Sequence, residues 1–78
     1  MMKIYGKNKK EKKELQLTEI VLDCSLEEIQ KLSIFLQIVK ERHEYFLDKE
    51  NECHTHYRDW DKEWDNSLPD IIIATVQK

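Results

Sequence analysis

The sequence is short of the residues that most often build a reaction centre or a crosslinked scaffold. Its single glycine, Gly6, leaves no glycine-rich phosphate loop and no nucleophile elbow. Two cysteines, Cys24 and Cys53, cannot form a disulfide framework, and their spacing fits no zinc motif, so reduced thiols are expected. No run approaches the roughly 20 apolar residues of a membrane span. The start, Met1 to Gly6, lacks the apolar stretch and small-residue cleavage site of a secretory signal. These absences predict a cytoplasmic protein with no membrane partner and no cofactor, and they argue against an enzyme.

What is present is charge, unevenly spread. Residues 1–14 hold six lysines against Glu11 and Glu14, a sum of +4, so residues 15–78 carry −7 of the net −3. Lys7, Lys9, Lys10, Lys12 and Lys13 have no apolar residue among them and read as a solvated hairpin loop, 7–14, whose charges discourage edge pairing. A nucleic-acid partner is not expected, because the segment lacks aromatic stacking residues. At 78 residues the chain is one small domain, 1–78, with a thin core that a second chain would help to complete.

Lys3 to Tyr5 and Leu15 to Asp23 are strand candidates flanking the loop. In the second, Leu15, Leu17 and Val21 point to one face and Ile20 and Leu22 to the other, which requires cover on both faces or a bulge. Ser25 followed by Glu28 is a capping box and starts a helix from Leu26 to about Leu47. Its Ile29, Leu32, Phe35, Leu36, Val39, His43, Phe46 and Leu47 share one side at helical spacing. Asp48 to Cys53 reads as a loop, and His54 to Trp60 reads as a strand, with a helix as the alternative. Asp65 to Pro69 is turn chemistry, and the β-branched run Ile71 to Val76 predicts an interior strand buried on both faces. The expected fold is α+β, in the order β-β-α-β-β. It is a four-stranded, mainly antiparallel sheet with one long helix packed on one face and overhanging it.

The one constellation that suggests chemistry is Cys53 to Asp61. On a strand, His54 and His56 project from one face and can offer two imidazoles to a metal, with Asp59 or His43 completing the set. The bland reading is exposed or hydrogen-bonded histidines. His43, within the apolar stripe, reads as a partly buried structural histidine near the negative end of the helix.

Binding features are more numerous. Residues 41–70 contain ten acids and four Lys or Arg, an acidic surface that includes Asp59 and Asp61 and suits a basic partner. Ile34, Ile38 and Tyr45 form a second apolar strip on the far side of the helix. Trp60 and Trp64 are either caps on the core or interface anchors.

The opening Met2-Lys3-Ile4-Tyr5-Gly6, the strand Leu17 to Leu22, the helix start Ser25 to Ile29, the segment His54 to Trp60 and the ending Pro69 to Ile73 together resemble a family of short, uncharacterised bacterial proteins. Some relatives are described as immunity proteins of polymorphic toxin systems. The resemblance implies a small cytosolic protein that neutralises a toxin by occlusion, and it supplies no catalytic residues. Its H-x-H segment matches His54 and His56. The long lysine-rich turn and the paired tryptophans depart from the pattern and leave any cognate partner open.

The sequence therefore predicts a non-enzymatic protein-interaction module, a homodimer, whose acidic surface binds a basic protein such as a toxin. The alternative is a metal-binding protein or metal-dependent enzyme built on His54 and His56.

Overall fold

The computed structural model describes residues 2–10, 12–65 and 67–76. Six elements follow in order: β1 (Tyr5–Gly6), β2 (Leu15–Gln16), α1 (Leu26–Phe46), β3 (Glu52–His56), α2 (Tyr57–Trp60) and β4 (Ile72–Val76). The α+β class holds, but among the described residues the strands form two separate antiparallel ladders, β1 with β2 and β3 with β4, instead of one four-stranded sheet.

Helix α1 forms where the local signals place it. Ser25 Oγ accepts from Glu28 N at 3.1 Å, and Ser25 N donates to Glu28 Oε1 at 2.9 Å. These bonds satisfy two otherwise orphaned groups and hold the Glu28 carboxyl below its ordinary range. At about 31 Å the helix is nearly twice the length of a five-residue strand, about 17 Å, so it overhangs the ladder.

The helix lies against the inner face of the β3–β4 ladder. Phe35, Val39 and Tyr57 are the buried apolar residues, and Leu32, Trp60, Trp64, Ile71 and Ile73 pack around them. The aromatic members meet edge-on or tilted: the Phe35 and Tyr57 centroids are 5.0 Å apart, and those of Tyr57 and Trp64 are 4.9 Å apart. Such pairs add about 0.5–1.5 kcal/mol each beyond their burial.

Three expected features of the strands change. The long strand from Leu15 to Asp23 pairs only at Leu15 and Gln16, and neither a covered face nor a bulge rescues the rest: Val21 is 79% exposed, and Ile20 and Leu22 are exposed as well. Among the described residues the hairpin has no third strand and adds nothing to the buried core, so it has little to extend it. The stretch from His54 to Trp60 is strand only as far as His56, after which the chain coils into α2. β4 is no interior strand. Ile73 and Thr75 turn inward and are half-buried, whereas Ile72 is 52% exposed, Val76 is 55% exposed and Ala74 also faces out. Its unbroken apolar run reflects a face without cover, not burial on both sides.

Candidate functional site

The polar side chains of interest fall in three places. The first is inside. His43, 5% exposed, bridges the two strands of the ladder: Nδ1 lies 2.7 Å from Thr75 Oγ1 and Nε2 lies 2.8 Å from Thr55 Oγ1. A neutral imidazole satisfies both hydroxyls by donating through one nitrogen and accepting at the other. Burial, assisted by the nearby His54, pushes the His43 ring below its ordinary value. Desolvation thus outweighs the pull of the helix C-terminus that favours a charged ring. The structural reading of His43 fits this geometry.

The second place is the start of the β3–β4 connection. His56 Nδ1 lies 2.6 Å from Asp70 Oδ2, and Asp70 Oδ1 accepts from Arg58 N at 3.0 Å and from Ile71 N at 2.9 Å. Arg58 Nη2 stands 3.9 Å from Oδ2. Burial pushes the Asp70 carboxyl up, but the Arg58 N–H, the His56 ring and the Ile71 N–H outweigh it and hold it below its ordinary range. An ionised carboxylate only accepts, so His56 Nδ1 carries the proton. Asp70 therefore acts as a remote cap for the first turn of α2, and it stops β3 at His56. The sequence places Asp70 only at the head of the β-branched run; its contacts to His56 and Arg58 join it to residues 14 and 12 positions away.

His54 and His56 do share the outer face of β3, opposite Ala74 and Ile72. The ligand set expected around them does not assemble. Among the described residues no three of His, Cys, Asp and Glu cluster as a metal site. Asp59 has moved into α2, and both nitrogens of His43 are engaged by threonines on the inner face. Cys24 and Cys53 are both free thiols.

The third place is the C-terminal end of α1. Tyr45 and Phe46 are exposed and stack edge-on, with centroids 5.0 Å apart. Lys49 Nζ donates to Tyr45 Oη at 2.8 Å and sits over its ring, 4.2 Å from the centroid. Around this pair the chain carries Asp48, Glu50 and Glu52, exposed carboxylates that form no ion pair among the described residues. The partial negative charge at a helix C-terminus adds to theirs.

The acidic surface read from residues 41–70 is thereby divided. Asp48, Glu50 and Glu52 lie before or at the start of β3, and Asp59, Asp61, Glu63 and Asp65 lie beyond its other end. In the second group Glu63 is held by Lys31 at 3.3 Å, Asp61 accepts from Glu63 N, and Asp65 accepts from Ser67 N, so among the described residues of this group only the exposed Asp59 has an unengaged carboxylate.

The remaining interface candidates are scattered. Ile34 is exposed and Ile38 half-buried, and Tyr45 belongs to the aromatic pair. Trp60 and Trp64 are half-buried against the core, and Trp64 Nε1 is buried without a hydrogen-bond partner among the described residues. Among the described residues no helix is long and apolar enough to cross a membrane. No family model, curated protein or solved structure matches the chain.

Proposed function

We propose that the chain is a non-enzymatic protein-interaction module that binds a basic protein through the C-terminal end of α1. The observation that carries the reading is two exposed, edge-on aromatic rings, Tyr45 and Phe46, followed closely along the chain by three exposed carboxylates, Asp48, Glu50 and Glu52, that form no ion pair among the described residues. Aromatic rings supply contact area at low entropy cost, and the surrounding negative field steers and orients a cationic surface. A toxin-neutralising immunity role, in which the patch occludes a basic toxin face, is the specific form that the family resemblance suggests.

The test is affinity capture from the native host's extract at rising salt. A specific partner retained at low ionic strength and released between about 0.1 and 0.5 M salt is expected, because exposed charges are screened over that range. The triple charge reversal of Asp48, Glu50 and Glu52 to Lys should abolish capture, and Tyr45→Ala should weaken it. Capture that ignores both salt and charge reversal, or no specific capture at all, overturns the reading.

A further inference from the structure

The outer edge of β4 and the flank of α1 beside it form a continuous, unfinished surface. A groove of about 340 Å³ runs between them, lined by Leu36, Val39, Lys40, Glu44 and Leu47 from the helix and by Ile73 from β4. Its strand lining comes from β4 alone, so it opens at the free edge of that strand. A second groove of about 410 Å³ continues along the same flank past Ile29 and shares Leu36 and Lys40 with the first.

The backbone of β4 is ready to continue the sheet. Tyr57 N donates to Ile71 O at 2.8 Å, and alternation along the ladder then directs the polar groups of Ile71, Ile73 and Thr75 toward β3. Those of Ile72, Ala74 and Val76 point outward. The strand carries no charge, no proline and no bulge, the devices that normally protect an edge.

The helix flank carries its own complement. Leu36, Lys40 and Glu44 of α1 and Leu47 at its C-cap share one side and read apolar, positive, negative, apolar. An antiparallel copy of that row sets Leu36 against Leu47 and Lys40 against Glu44, twice over.

From these observations we infer that a second copy of this chain pairs with it across a two-fold axis, β4 against β4, with Ala74 facing Ala74 of the second copy. The register joins the two ladders into one four-stranded antiparallel sheet, β3-β4-β4-β3, with both helices on the same face. Strands about 4.8 Å apart place two helices, each lying over its own pair of strands, about 10 Å from one another, the ordinary helix packing distance. The grooves disappear into the seam between them. This contact shares no residue with the acidic patch of Tyr45, Phe46, Asp48, Glu50 and Glu52.

Sedimentation equilibrium on the intact chain tests the inference. A dimer at micromolar concentration is expected. Lys40→Glu and Glu44→Lys should each weaken self-association by roughly tenfold, since two attractive cross-pairs become repulsive. An equimolar mixture of the two variants should then recover dimers of mixed composition, because each repulsive cross-pair becomes attractive again while the Lys40–Glu44 ion pair that the wild-type helix makes at 2.9 Å stays broken. Leu36→Lys should give a monomer with an unchanged circular dichroism spectrum. A wild-type monomer at 100 μM, or single variants that fail to recover association on mixing, overturns the inference.

Discussion

His43 is the residue whose environment differs most from its surface counterparts. Two threonine hydroxyls occupy its nitrogens, and burial favours the uncharged ring. In the unfolded chain an ordinary histidine takes up a proton near pH 6.5. Because the folded ring takes it up only at lower pH, the unfolded state binds more protons in between. The contribution of His43 to stability is therefore present above about pH 6.5 and is lost as the pH falls below it. Urea unfolding at pH 7.5 and at pH 5 should show this loss in the wild type and a flatter profile in His43→Gln. An unchanged slope in the variant would assign the pH dependence to other groups. The apolar stripe already placed His43 facing inward, since its helical position follows from local spacing alone. The threonines that receive it were illegible, because Thr55 and Thr75 stand 12 and 32 positions away.

At the scale of elements, the contrast between α1 and the strands has the same origin. The capping box, the 3.6-residue spacing and the absence of glycine or proline from 26 to 46 are contained within the helix, and its observed limits agree with them to within a residue. Strand pairing is decided between distant segments. The run Ile71 to Val76 had the composition of an interior strand, yet composition does not say how many neighbours a strand finds. The halting of β3 at His56 likewise depends on Asp70, across the β3–β4 connection. Replacing Asp70 with Ala removes the acceptor from the Arg58 and Ile71 N–H groups and from His56. The expected cost is about 2–3 kcal/mol, the usual scale for a charged, largely buried hydrogen-bonding group. Chemical denaturation measures it, and a loss under about 0.5 kcal/mol would mean that α2 is held by its aromatic packing instead.

Over the whole molecule, every residue of the apolar core and its surround lies between Leu32 and Ile73, and none comes from the first two strands. The expected single sheet would have drawn the β1–β2 hairpin into that core. Its separation explains how a chain with ample apolar residues buries so few of them. It also has a consequence for digestion. Leu17, Ile20, Val21 and Leu22 lie open between the hairpin and the helix cap, in chain that belongs to no element. A brief chymotrypsin treatment should cut there first and release a resistant fragment that begins near Cys24 and retains every aromatic contact of Phe35, Tyr57, Trp60 and Trp64. Mass spectrometry of the early products reads the cut directly, and an unaltered tryptophan emission maximum after the nick would show the hairpin to be an appendage that the folded body can shed.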